Sequence, residues 1–163
     1  MYDTLSQVFG PTVALGKAGL AGITGAATTH NVGTAFNYAI NGKAYNKATV
    51  TGGATPTADA VTGAAFAAIS ANQGSVFVFG VDSAGTVKVA QGSIEAMDKA
   101  GTFLAAPQFP TLPDSICPFG YVVVKGGATV AAPWTFGSSN WNATGITMAV
   151  QDVIGIPGRP QVS

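Results

Sequence analysis

The chain has 163 residues, of which 47% are hydrophobic and only 9% charged, and its seven basic and seven acidic residues cancel to a formal net charge of zero. An ordinary soluble domain carries about 25% charged residues, and net charge away from zero keeps copies of a protein apart; a chain this poor in charge is expected to bury much of its surface against other subunits. The basic residues Lys17, Lys43, Lys47, Lys88, Lys99, Lys125 and Arg159 are scattered singly, so no stripe can neutralise several phosphates at once and direct nucleic-acid binding is disfavoured.

The length suits one core that buries about two thirds of the surface of the unfolded chain. The start, MYDTLSQVFG, has no basic stretch before an apolar one, so no secretory signal is expected and synthesis in a cytoplasm follows. The uncharged runs 18–42, 60–81 and 126–151 are long enough to cross a bilayer, but Gly, Thr, Ser, Asn and Pro interrupt each, and none reads as a span. Residues 1–34 are rich in Gly, Ala and Thr, with Asp3 and Lys17 as their charges. Glycine breaks up their apolar residues too often for a core of their own. They read as an extended arm ordered against a neighbouring subunit or as a flexible start, and the shortage of charge favours the arm, with Val8, Phe9, Leu20 and Ile23 as contacts. Residues 35–163 are then a single β-rich domain.

Asn41-Gly42 lies between runs holding Phe36, Tyr38 and Ile40 and then Ala44, Tyr45 and Val50. Asn-Gly tolerates the positive φ that a type I′ turn needs at both central positions, which predicts a hairpin over 36–50. Residues 51–59 read as a loop from their Gly and Pro, and the spacing of Ala64, Ala65, Ala68, Phe66 and Ile69 predicts a short helix over 60–71, weakened at its start by Gly63. A second hairpin is predicted from 75–81, the turn Asp82-Ser-Ala-Gly85, and 86–91. In its first arm Val76 and Val78 alternate with Phe77 and Phe79, so both faces are apolar, as in a strand covered on both sides. Asp98-Lys-Ala-Gly101 reads as another turn.

Pro107, Pro110, Pro113 and Pro118 forbid regular structure from Ala105 to Phe119, since each removes a backbone donor and restrains its predecessor. Phe109, Leu112, Ile116 and Phe119 make this segment too apolar for a solvated linker; it reads as a strap over the sheet or across a neighbour, with Phe109, Leu112 and Phe119 as further contacts. Strands are predicted at 120–125, at 134–136 and at 145–150, and the tail from Gly155 must be extended. The fold class is therefore mainly β: an antiparallel sandwich or barrel, jelly-roll-like, with extended N-terminal and Pro-rich arms.

Chemistry is harder to find. Cys117 is the single cysteine, which excludes an internal disulfide and reads as a small buried apolar residue. His30 is the single histidine, so any His-dependent nucleophile or metal site would have to be built around it; a structural role is favoured. Asp3, Asp59, Asp82, Glu95, Asp98, Asp114 and Asp152 are isolated and mostly in turn contexts, where Asp bonds the backbone. The glycine pairs at 52–53 and 126–127 lack the context of a phosphate cradle. Asn142-Ala-Thr144 matches a glycosylation acceptor, inert without secretion. Trp141, flanked by Asn140 and Asn142, is the best candidate for a sugar-stacking platform; core or interface packing of Trp134, Phe136 and Trp141 is the favoured alternative. No cofactor or metal is expected.

The segments 36–50, Gly74 to Asp82, Pro118 to Lys125 and Trp134 to Gly145, less than half of the chain, resemble small β-rich virion proteins of tailed bacteriophages, in particular the capsid decoration or cement type. The resemblance implies a non-enzymatic protein of the virion surface, a homo-oligomer and most simply a trimer, that staples neighbouring major capsid subunits. Two other functions compete: a phage spike or receptor-binding head reading host glycan through Trp141, Asn140 and Asn142, and a small hydrolase whose paired carboxylates are assembled by the fold.

Overall fold

The computed structural model describes residues 11–158 and Pro160. Among them are ten strands and no helix: β1 Val13–Ala14, β2 Leu20–Ala21, β3 Thr29–Val32, β4 Phe36–Ile40, β5 Lys43–Lys47, β6 Val50–Ala54, β7 Gln73–Val81, β8 Val87–Ala96, β9 Cys117–Gly126 and β10 Ile146–Asp152. They form three open antiparallel sheets, ordered β1-β4-β5, β2-β3-β6 and β10-β9-β7-β8. The fold is mainly β and sandwich-like, without a closed barrel.

The four-stranded sheet is the middle layer, and β7 shows why. Phe77, Phe79 and Val81 point with Val122 and Val124 into the main core, while Val76 and Val78 point with Tyr121 and Val123 into a second, smaller one. Both faces are covered, as the doubly apolar pattern predicts. The two small sheets roof the main core with Ala14, Leu20, Val32, Phe36, Tyr38 and Ile40. Aromatic residues from the connecting loops fill the rest: Phe136 stacks on Phe77 at 4.6 Å and meets Trp141 edge-on at 5.4 Å. Pairs of this kind add about 0.5–1.5 kcal/mol each beyond the area they bury.

Both predicted hairpins form. Asn41 and Gly42 have φ of 49° and 76°, the left-handed pair that a type I′ turn requires. Between β7 and β8, Asp82 Oδ1 accepts hydrogen bonds from the amides of Ala84 and Thr86, each at 2.9 Å, and Gly85 takes φ 78°. Asp98-Lys-Ala-Gly-Thr102 repeats this turn, with Asp98 Oδ1 accepting from Ala100 and Thr102. A short carboxylate that satisfies two amides, followed by glycine where φ is positive, builds the same corner twice.

Several expectations are corrected. Residues 60–71 are not helical: Asp59 Oδ1 captures the amides of Val61 and Thr62 at 2.8 and 2.9 Å, Gly63 at φ 72° ends the turn, and Phe66 and Ile69 then drop into the core. The expected loop 51–59 begins as β6, where a methyl group on Gly53 would come 2.7 Å from Val50 Cγ1 and 3.2 Å from the His30 ring. Residues 134–136 make only a bridge to Ile69, although Trp134 and Phe136 are buried as expected. Strand β9 starts inside the Pro-rich segment, at Cys117, and accommodates Pro118 at a bulge where the register steps from Phe79↔Gly120 to Gly80↔Pro118.

The largest correction concerns the N-terminal stretch, which is extended but against its own chain over residues 11–34. Strand β1 pairs with β4, β2 with β3, and β3 with β6. The glycines do not prevent structure here; Gly19 and Gly22, at φ 65° and 71°, supply the turns between short strands.

Candidate functional site

The residues expected at an interface separate into two groups. Leu20, Ile23 and Phe119 are 6%, 3% and 0% exposed and belong to the main core, so they present nothing to a second subunit. Val8 and Phe9 lie outside the described residues. Phe109 and Leu112 are half-buried on the strap, and the strap lies over the second face of the four-stranded sheet.

That face is built as follows. After the Asp98 turn, Leu104 N–H donates to Ala96 O at 3.0 Å, Ser93 N–H donates to Gln108 O at 3.1 Å, and Gln108 N–H donates to Ser93 Oγ at 2.9 Å, so the strap hangs from the outer edge of β8. Gly92 must be bare beneath it, because a side chain would strike the Gln108 carbonyl. Phe109 then meets Tyr121 edge-on at 5.0 Å. From the other side, Val153 N–H donates to Phe119 O at 3.2 Å, and Val153 and Ile156 pack against the same small core. A cleft of about 370 Å³ opens between the two segments, lined by Ala106, Pro107, Gln108, Phe109, Gly158 and Pro160. Leu104 and Ile154, 73% and 54% exposed, stand on these segments. The prolines fix the strap's backbone before any partner arrives, which lowers the entropy lost on association.

The proposed sugar platform does not form at Trp141, which is 1% exposed. Its Nε1–H donates to Thr29 O at 2.8 Å, and its ring packs against Trp134 at 5.6 Å. Asn140 and Asn142 are exposed beside it, but their backbones are tied down: Asn140 O accepts from Trp134 Nε1 at 2.9 Å and Asn142 N–H donates to Gly25 O at 3.1 Å. No aromatic face is left open there for a ring to stack on.

Asp59, Asp82 and Asp98 work in turns, while Asp152 reaches from β10 to the Gly19 and Leu20 amides. Asp59, missed by sequence reasoning as anything more than a turn residue, is 6% exposed and joins the 59–63 turn to the edge of β8: its Oδ1 holds Val61 and Thr62, and its Oδ2 accepts from Gln91 N–H at 2.6 Å. Asp82 uses Oδ1 in its own turn and has Oδ2 3.9 Å from Lys88 Nζ. Both line a cleft of about 650 Å³ with Thr57, Val87, Lys88 and Ser115. Asp59 has both oxygens in hydrogen bonds to backbone amides, and Asp82 has Oδ1 so engaged. Cys117 is fully buried, and burial pushes its thiol up to about 11. Among the described residues no group of three or more His, Cys, Asp or Glu is placed to hold a metal ion, and no helix is long and apolar enough to cross a membrane.

Comparison with protein-family models, with curated proteins and with solved structures finds no match to this chain.

Proposed function

We propose that this chain is a non-enzymatic structural subunit of a virion: a decoration or cement protein that forms a homo-oligomer, most simply a trimer, and staples neighbouring major capsid subunits on the shell surface. The observation that supports this reading is the strap face. It is proline-stiffened and apolar, the segments that flank it carry exposed Leu104 and Ile154, and it belongs to a chain with 9% charge. A surface of this kind gains free energy by being covered, and a closed ring of copies covers it without leaving a face for further growth.

The test is the behaviour of the natural chain and of a Leu104→Asp, Ile154→Asp variant in light scattering and in sedimentation with shells of the phage that encodes it. The natural chain should form a discrete oligomer and bind shells; the variant should be monomeric, unbound and equally stable, because neither side chain is in the core. A natural chain that stays monodisperse and monomeric at micromolar concentration and ignores the shell would sink the proposal. Selective binding on a glycan array would move the reading to a receptor-binding head.

A further inference from the structure

His30, on β3, is 2% exposed, and neither Nδ1 nor Nε2 has a hydrogen-bond partner. The ring tilts against Phe79 of β7 at 5.6 Å and lies across from Gly53 of β6. This is a cage for an apolar ring. A buried polar group without a partner costs free energy that a phenyl group in the same place would not. Strands β2, β3, β6 and β7 contain no Asp, Glu, Lys or Arg, so nothing in them balances a charge on the ring. Lys47 on β5 repels one. Burial first, and Lys47 second, hold the imidazole below its ordinary pKa; the backbone of Gly53 opposes them without closing a hydrogen bond.

The sheet that carries His30 is held to the rest without strand pairing, as the β1-β4-β5 sheet also is. Strands β2, β3 and β6 pair only with one another. They and the β2-β3 loop join the rest through the side chains of Leu20, Ile23, Val32 and Val50 and through hydrogen bonds such as Trp141 Nε1 to Thr29 O, Trp141 N to Ala27 O and the Gly19 and Leu20 amides to Asp152 Oδ1. We propose that His30 is a proton-sensitive latch on the β2-β3-β6 sheet: acidification places a positive charge in its apolar cage and makes β3 and β6 open locally and transiently more often, while β7, β8, β9 and β10 stay paired.

The direction follows from linkage. A released imidazole regains an ordinary pKa of about 6.5 and binds its proton before the buried one does. The latch is therefore at full strength above about pH 6.5 and weakens as pH falls from there to the buried value, the release equilibrium rising about tenfold for each pH unit in that window.

Because the chain has a single histidine, its ring protons are an unambiguous NMR signal. In the natural chain they should titrate with a midpoint below about 6.5; a midpoint at or above that value overturns the proposal. Amide hydrogen exchange compared at about pH 7 and about pH 5, corrected for intrinsic rates, should show roughly ten-fold or greater loss of protection in β3 and β6 and little in β7 and β9. His30→Phe should abolish the difference while keeping Lys47 and Asp152 in place, which isolates the imidazole from the other titrating groups. Equal loss across all strands, or the same pH dependence in His30→Phe, overturns the latch. If His30→Phe does not fold, the titration and the exchange of the natural chain decide alone.

Discussion

Starting the chain at Thr34 should unfold it. Such a truncation removes β1, β2 and β3, and with them Ala14, Ala18, Leu20, Ile23 and Val32, each no more than 6% exposed. Burying a Leu, Ile or Val side chain contributes about 1.5–3 kcal/mol, so the three large ones alone carry roughly 5–9 kcal/mol. The lost backbone adds to this. Trp141 Nε1, Thr55 N and Thr55 Oγ1 would lose their acceptors on Thr29 and Thr28, and each buried donor left unpaired costs about 1–3 kcal/mol. The total reaches or exceeds the stability of an ordinary domain, about 5–15 kcal/mol. Far-UV circular dichroism and urea denaturation of the truncated protein decide the matter. A truncated protein that still unfolds cooperatively, with a midpoint near that of the full chain, would refute the placement of residues 11–34 in the core and restore the arm reading.

Three further outcomes are expected. Gly92→Ala sets a methyl group against the Gln108 carbonyl and 2.6 Å from Val76 Cγ1, so it should cost about 1–3 kcal/mol in thermal unfolding and expose the strap to limited proteolysis. Trp141→Phe removes the bond to Thr29 O and should cost about 1–3 kcal/mol without altering any glycan-array signal, whereas a selective loss of glycan binding at unchanged stability would revive the sugar platform. The Cys117 thiol, held at about 11, has roughly one part in a thousand as thiolate at pH 8 and should react with a thiol reagent only when the chain is denatured; rapid labelling of the native protein would contradict its burial.

What could be read from the sequence is what local chemistry decides. Asn41-Gly42 and Asp82 to Gly85 specify their turns through a few neighbouring atoms, and the doubly apolar run 76–81 announces a strand covered on both sides. The misreadings have non-local causes. The glycines of residues 16–25 look alike whether they loosen a tail or turn the chain between two-residue strands, and what distinguishes the cases is Leu20 packed where a side chain on Gly120 would collide with it. Trp141 looked available because its neighbours are polar, yet its acceptor, Thr29 O, lies 112 residues away. The Ala-rich stretch 60–71 has helical spacing, but Asp59 engages its first amides while bonding across to Gln91. One clue was available in principle: a buried tryptophan needs an acceptor for its N–H, so two of them in a loop imply that the loop is folded back on other backbone.

The placement of the few charges bears on how copies of this chain meet. An open strand edge invites pairing that does not close, and proteins block such edges with charge or by covering them. Here the outer edge of β8 is covered: Val89 O accepts from Ala60 N–H, Gln91 N–H is taken by Asp59, and Ser93 N–H by the strap. The β10 edge faces β2, which Asp152 holds. Strand β6 is short and bent by Gly52 at φ 65°. Among the described residues β5 is an edge strand without a partner on its outer side, and it carries Lys43 and Lys47. Charge is thus retained where edge-to-edge growth threatens and is sparse on the strap, where the apolar side chains Phe109, Leu112 and Leu104 lie on or beside a face. Under the proposed capsid reading, association through the strap face with the strand edges protected is the arrangement that would favour a closed oligomer over a fibre.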